Sequence, residues 1–139
     1  MTIASATLAE LKRCARDAAT RAYAPYSRFP VGAAVLAADG TIHAGANVEN
    51  ASYGLSICAE RAAIFHAVAQ GIRQIAAIVV YTPTPAATTP CGACRQVIHE
   101  FGSGALVVCC TDNEQAERHY AIAELLPVAF STDALAGRR

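Results

Sequence analysis

The pattern of apolar positions predicts a helix at the start of the chain. The apolar residues there recur every three to four positions, as they do on one face of a helix: Leu8, Leu11, Ala15, Ala18 and Ala22. Thr7 and Glu10 have the spacing of a capping box that would begin this helix. The segment Tyr23–Pro30 contains two prolines and a serine, which predicts an irregular loop after the helix.

Short apolar runs bounded by turn residues predict the strands. Val31–Ala38 and Thr41–Val48 flank the dipeptide Asp39-Gly40, which is typical of hairpin turns. Further apolar runs predict three more strands: Ile75–Tyr81, Ala105–Cys110 and His119–Ile122. The five runs are enough for one sheet.

Two more helices are predicted between the later strands. Ala59–Gln70 is followed by Gly71, and Gly92–Phe101 is followed by Gly102, each glycine standing where a helix ends. A short turn or helix is predicted around Glu124–Leu126. The order α-β-β-α-β-α-β-β predicts an α/β fold with a mixed sheet, formed as a single domain over residues 1–139.

The composition and net charge of the chain indicate which kinds of molecule it binds. The chain is 54% hydrophobic, but no apolar run approaches the ~18 residues that a membrane span needs. Eleven basic and eleven acidic residues cancel, so no general attraction to nucleic acid or to an anionic membrane is expected. The first 22 residues lack the apolar stretch of a signal peptide. We therefore expect a cytoplasmic protein that binds a small molecule.

In a reducing compartment cysteines serve metal binding or packing more often than disulfides. The chain has six: Cys14, Cys58, Cys91, Cys94, Cys109 and Cys110. Cys58 and Cys91 stand where predicted helices begin, and Cys94 lies one turn after Cys91 on the same face. Helix N-termini favour thiolates. If the two helices are neighbours on one face of the sheet, Cys58 adds a third sulfur, which leaves a zinc ion one open position, as in catalytic sites.

Charged residues beside these cysteines complete a candidate catalytic centre. Zinc can lower the pKa of a bound water to about 7, and Glu60 could accept the proton of that water. Three thiolates weaken zinc as a Lewis acid, so a cation that hydrogen-bonds to the sulfurs is expected. Arg61 is the first candidate for this cation, and Arg95 is a weaker one.

Other interpretations of the cysteines remain open at this point. Cys91-x-x-Cys94 also suits a thioredoxin-like dithiol, as in a redox or metal-binding interaction module. Such a dithiol would explain neither Cys58-x-Glu60 nor Pro90. A structural zinc would need a fourth ligand, for which the candidates are His66, His99, Cys109 or Cys110. Cys14, Cys109 and Cys110 have spacings typical of small core residues.

The combination of C-x-E with P-C-x-x-C resembles the signature of the zinc nucleoside and nucleobase deaminases. Further segments are similar to the small homotetrameric cytidine deaminases: Tyr23–Ala34, Asn47–Tyr53, Cys58–Arg61, Pro90–Gln96 and Leu125–Phe130. The resemblance implies a three-layer α-β-α sandwich with a five-stranded sheet, a homotetramer, and one Zn²⁺ per chain on Cys58, Cys91 and Cys94. It also implies hydrolytic deamination of cytidine and deoxycytidine in pyrimidine salvage, with Glu60 as the catalytic acid and base.

The resemblance also implies how the substrate is bound. Phe29 would stack on the pyrimidine, and Asn47 with Glu49 would hydrogen-bond to the ribose hydroxyls. The backbone at Ala59 would contact the base, and Phe130 would reach into the active site of a neighbouring subunit.

Related enzymes are the nearest alternatives. A deaminase of the nucleoside antibiotic blasticidin S would share the zinc motifs, but the segments around Phe29 and Asn47–Glu49 favour a plain nucleoside. A deaminase that edits nucleic acid is disfavoured by the neutral charge and the short chain. The preference between ribose and deoxyribose is left open by the sequence.

Overall fold

The structure is a computed structural model that describes residues 2–136, so both ends of the predicted domain, Met1 and residues 137–139, lie outside the described residues. The helices are α1 (Ser5–Ala19), α2 (Ala59–Ala69), α3 (Gly92–Phe101), α4 (Ile122–Leu125) and α5 (Thr132–Ala136). The strands are β1 (Gly32–Ala37), β2 (Ile42–Ala46), β3 (Ile75–Tyr81), β4 (Leu106–Cys110) and β5 (Arg118–Ala121). Each helix among residues 2–136 is too short or too polar to span a lipid bilayer.

The five strands form one mixed sheet in the order β2-β1-β3-β4-β5. β1 pairs antiparallel with both β2 and β3, and β5 pairs antiparallel with β4. β3 and β4 are parallel and are connected through α3. This arrangement confirms the predicted mixed sheet.

Helices cover both faces of the sheet. α1 packs on one face, where its buried side chains meet those of three central strands: Leu11, Ala15, Ala34, Val79 and Val108. α2 and α3 pack on the other face, and the core there includes Ala63, Ile64, Ile98, Val35, Ile78 and Val107. Strand alternation sends neighbouring residues to opposite faces, which is why Ala33 and Ala34 belong to different cores. The expected three-layer α-β-α sandwich is confirmed.

The start and the end of α1 differ from the prediction. The helix begins at Ser5 with Ala4 at its N-cap and no capping side chain, so the capping box of Thr7 and Glu10 is wrong. The Glu10 carboxylate instead pairs with Arg13 at 2.6 Å, because the guanidinium one turn further along is a stronger partner than a backbone N–H. The helix also ends at Ala19, before Ala22.

The C-terminal elements are also shifted. The last strand ends at Ala121 and a short helix begins at Ile122, whereas the pattern placed Ile122 in the strand. The Glu124 carboxylate accepts a hydrogen bond from the Ala121 N–H at 2.8 Å, which stabilises the first turn of α4. The five-residue helix α5 was not predicted, because so short a segment carries no periodic pattern.

Two glycines allow helices to approach the sheet closely. A Cβ atom on Gly32 would fall on the carbonyl oxygen of Ala15 in α1. A Cβ atom on Gly45 would fall on the backbone nitrogen of Ala63 in α2. The two helices therefore rest directly on strand backbone, one on each face of the sheet.

We predict that Gly32→Ala and Gly45→Ala each lower the free energy of unfolding by more than about 2 kcal/mol, because the added methyl meets backbone that cannot move away. Gly104→Ala is the matched control, since a Cβ there meets nothing within 4 Å. Urea unfolding of the three variants measures the difference. Equal stability of all three would contradict the close packing of α1 and α2.

Candidate metal centre and substrate pocket

Two helix N-termini bring the cysteines together. Cys58 is the N-cap residue of α2 and Cys91 that of α3, each with an extended backbone, and Cys94 lies in the first turn of α3. The two helices pack beside each other on the same face of the sheet. The predicted positions of all three cysteines at helix starts are confirmed.

The three sulfur atoms lie within 4.8 Å of one another, and the Sγ atoms of Cys58 and Cys91 are 3.7 Å apart. Tetrahedral zinc with Zn–S bonds of about 2.3 Å separates its sulfur ligands by about 3.8 Å. Across residues 2–136, none of the alternative fourth ligands His66, His99, Cys109 and Cys110 joins this cluster. The donor set therefore fits one zinc ion with three protein ligands and one open position.

The charge of the sulfur cluster is balanced locally. Hydrogen bonds from the Cys94 thiol and from Arg61 lower the pKa of Cys58 to about 5. The pKa of Cys94 is raised, because this thiol donates to Cys58 and is buried. Nη2 of Arg61 donates to the Cys58 sulfur at 3.4 Å, as predicted, and its buried Nε has no partner in the described part of the chain. Three thiolates at this separation repel one another, so a divalent cation between them is needed for all three to ionise.

Arg95 does not hydrogen-bond to the sulfurs, so its assignment as a weaker candidate for that role is wrong. Its guanidinium donates to the Pro90 carbonyl at 2.7 Å, the Leu125 carbonyl at 2.9 Å and the Thr89 hydroxyl at 3.2 Å. Arg95 follows Cys94 directly, and its side chain leads away from the cluster to two backbone carbonyls.

Glu60 is a buried carboxyl group beside the sulfurs. It lies in the first turn of α2, two residues after Cys58, and only 5% of its surface is exposed. Burial raises its pKa to about 7, and the negative charge of Cys58 acts in the same direction. A carboxyl with this pKa can both accept and donate a proton near neutral pH.

A pocket of about 400 Å³ opens over this centre at the carboxyl end of β3. Its walls include Cys58 and Cys91 together with five of the predicted site residues: Phe29, Asn47, Glu49, Ala59 and Glu60. These residues come from four separate segments of the chain, so the fold assembles them around one cavity.

Asn47 and Glu49 already hold the loop that carries Phe29. The Asn47 side chain donates to the Phe29 carbonyl at 2.8 Å and accepts from the Val31 N–H at 2.9 Å. The Glu49 carboxylate accepts from the N–H of Tyr26 at 3.0 Å and from both the N–H and the hydroxyl of Ser27. The Ser27 hydroxyl lowers the pKa of Glu49, which keeps it an acceptor. Contact of either residue with a sugar stays a prediction.

The structure adds residues to the site that sequence reasoning missed. The pocket wall also includes Ser27, Val31, Val80, Thr88 and Thr89. Ser27 accepts from the Phe29 N–H at 3.0 Å while it donates to Glu49, so it links two predicted site residues. Thr88 and Thr89 directly precede Pro90-Cys91, a proximity to the zinc motif that could have indicated them.

Phe130 stands apart from the other site residues. It lies between α4 and α5, its side chain is 59% exposed, and it does not line the pocket of its own chain. Its carbonyl accepts a hydrogen bond from Gln96 at 3.0 Å. The structure therefore brings Phe29, Asn47, Glu49 and Ala59 together with the metal centre, but not Phe130.

Comparisons with known proteins agree with this geometry. The model of the cytidine and deoxycytidylate deaminase zinc-binding region matches residues 5–110, which include all three clustered cysteines. The cytidine deaminase of Sporosarcina psychrophila is 48% identical over 120 residues, covering 86% of this chain and 88% of that protein. A cytidine deaminase of Mycobacterium tuberculosis is 40% identical over 129 residues, covering 93% of each. The family match and the sulfur cluster together show one zinc ion per chain.

Solved structures lead to the same family. The crystal structure of cytidine deaminase from Burkholderia pseudomallei superposes with a TM-score of 0.83 at 47% identity, covering 88% of this chain and 98% of that one. The crystal structure of the Mycobacterium tuberculosis cytidine deaminase gives a TM-score of 0.75 at 40% identity, covering 88% of this chain and 96% of that one. This chain belongs to the cytidine and deoxycytidylate deaminase family.

Proposed function

We propose that this protein is a cytidine deaminase that hydrolyses cytidine and deoxycytidine to uridine and deoxyuridine with release of ammonia. One observation carries the proposal: Glu60, a buried carboxyl with a pKa of about 7, shares a pocket with a three-sulfur zinc site that leaves one position open. Hydrolysis of an amino-heterocycle needs an activated water and a group that moves protons, and these two features supply both.

Zinc, when bound by Cys58, Cys91 and Cys94, supplies the Lewis acid that makes water acidic enough to attack near neutral pH. Glu60 accepts a proton from the attacking water as the oxygen of that water bonds to C4 of cytosine. Glu60 then gives this proton to N3, where negative charge develops as the ring loses conjugation. It next transfers the second proton of that oxygen to the amino group, and the C4–N bond breaks to release ammonia. Arg61 keeps the thiolate charge balanced.

Substrate recognition is proposed to come from the pocket walls. The ring of Phe29 offers a face on which a pyrimidine stacks, and the backbone at Ala59 contacts the base. Asn47 and Glu49 have acceptor capacity beyond their loop contacts, which suits sugar hydroxyls. No lysine or arginine from residues 2–136 lines this pocket, which favours an uncharged nucleoside over a phosphorylated one.

We propose further that the active enzyme is a homotetramer in which Phe130 completes a neighbour's pocket. Large apolar side chains are exposed on the single chain, which supports burial between subunits: Tyr23, Val48, Tyr53, Leu55, Phe65 and Phe130. None of the six cysteines, all of which lie within residues 2–136, forms a disulfide, in keeping with a cytoplasmic location. We propose that this reaction serves pyrimidine salvage.

We predict that the purified protein converts cytidine with loss of the cytosine absorbance band and equimolar ammonia release. Activity should disappear when a strong chelator removes zinc and return when zinc is restored, because the three sulfurs hold the ion that activates water. The band should stay unchanged with the free base cytosine, which leaves the sugar-binding groups unpaired. Turnover that survives complete loss of zinc would contradict the proposed chemistry.

Glu60→Gln should lower kcat on cytidine by roughly 10²–10⁴-fold, because the amide cannot exchange the proton between water and N3. Zinc content should stay at one ion per chain, measured by elemental analysis, since Glu60 is not part of the sulfur cluster. Glu114→Gln makes the same chemical change at an exposed carboxyl outside the pocket and should leave kcat unchanged. Near-normal turnover by the Glu60 variant would remove this residue from the mechanism.

A further inference from the structure

The two residues that follow the metal ligand Cys94 both bind the C-terminal part of the chain. Arg95 donates to the Leu125 carbonyl at the end of α4, while the same guanidinium holds Pro90 and Thr89 beside Cys91. Gln96 donates through Nε2 to the Phe130 carbonyl at 3.0 Å. The segment 125–130 is therefore fixed to α3 at its first and last residues.

The backbone between these two contacts is strained. Val128 has φ of 53° in the left-handed region, which a β-branched residue adopts only with difficulty. Its side chain is fully exposed, so packing of that side chain does not explain the conformation. A strained backbone persists where surrounding contacts hold it, and here the contacts at Leu125 and Phe130 close the segment on both sides.

We propose that Arg95 and Gln96 are positioning residues that fix Phe130 relative to the metal loop. The helix α3 then fixes two parts of the structure. It positions the sulfurs of Cys91 and Cys94 and the pocket residue Thr89 of its own subunit, and it sets the direction in which the Phe130 side chain projects from the surface. The functional consequence rests on the role proposed above for Phe130 at a neighbour's site. The hydrogen bonds of Arg95 and Gln96 to the segment do not depend on that role, so the positioning of the segment and the role of Phe130 can be tested separately.

The test compares Gln96→Glu and Gln96→Met with the control Glu100→Gln, an exposed residue on the same helix. The glutamate variant places an oxygen against the Phe130 carbonyl, and the methionine variant removes the donor at similar length. Each Gln96 variant should raise KM for cytidine roughly three- to tenfold, as expected for one lost hydrogen bond, with a smaller change in kcat and one zinc per chain. The control should match the parent protein.

Hydrogen exchange gives a readout that does not depend on turnover. In both Gln96 variants the hydrogen-bonded amides nearest in sequence to the Phe130 contact should exchange faster. These are the amide of Leu126, which donates to the Ile122 carbonyl at 2.9 Å, and that of Ala134, which donates to the Ser131 carbonyl at 3.1 Å. The amides of β3 should keep their protection, because only the contact at the segment's end is lost. Arg95→Lys keeps the charge but cannot reproduce three forked hydrogen bonds, so it should loosen the same segment. Unchanged exchange of the Leu126 and Ala134 amides in all three variants would overturn the proposal.

A double-mutant cycle separates this proposal from the proposed role of Phe130. If Gln96 acts through Phe130, then Gln96→Glu should change KM less than twofold in a Phe130→Ala background. Full additivity of the two substitutions would overturn the positioning role. If Phe130→Ala alone leaves KM unchanged, the role of Phe130 at a neighbour's site fails, and exchange in the segment still decides whether Gln96 and Arg95 hold it.

Discussion

The structure depends on the convergence of three cysteine sulfurs at two adjacent helix N-termini. Cys58 and Cys91 cap α2 and α3, and their sulfurs are 3.7 Å apart, a separation at which unbalanced thiolates repel strongly. The helix dipoles, the guanidinium of Arg61 and one zinc ion balance that charge. The pKa of Glu60 is raised because its carboxyl group is buried beside these sulfurs, in the first turn of α2. A change in how the two helices lie together would affect the sulfurs and the carboxyl at once.

Small residues make this placement of helices attainable. The buried face of α2 consists largely of alanines, and α2 rests on the backbone of β2 at Gly45. α1 rests in the same way on Gly32, in the strand that follows the Phe29 loop. The alanine-rich composition is therefore part of how the site is built, because close backbone approach fixes the helix starts more tightly than contacts between long, flexible side chains would.

Features that depend on neighbouring residues were predictable from the sequence. The turn at Gly40, the helix end at Gly71, β3, α3 and the cysteines at helix starts all follow from local pattern, and the family resemblance supplied the identity of the pocket residues. The particular hydrogen bonds between distant segments were not predictable. Asn47 binds a loop 16 to 18 residues away, and Arg95 reaches Leu125 30 residues away instead of the nearer sulfurs, because tertiary packing decides which acceptor an arginine meets.

X-ray absorption at the zinc edge can show whether three sulfurs hold one zinc ion with a fourth position left for water. We expect a first shell of three sulfurs at about 2.3 Å and one lighter oxygen or nitrogen atom. Substitution of Cys91 by serine should remove one sulfur from that shell. A shell of four sulfurs would instead mean a closed structural site, and a zinc ion bound without Cys58, Cys91 and Cys94 would rule out these three ligands.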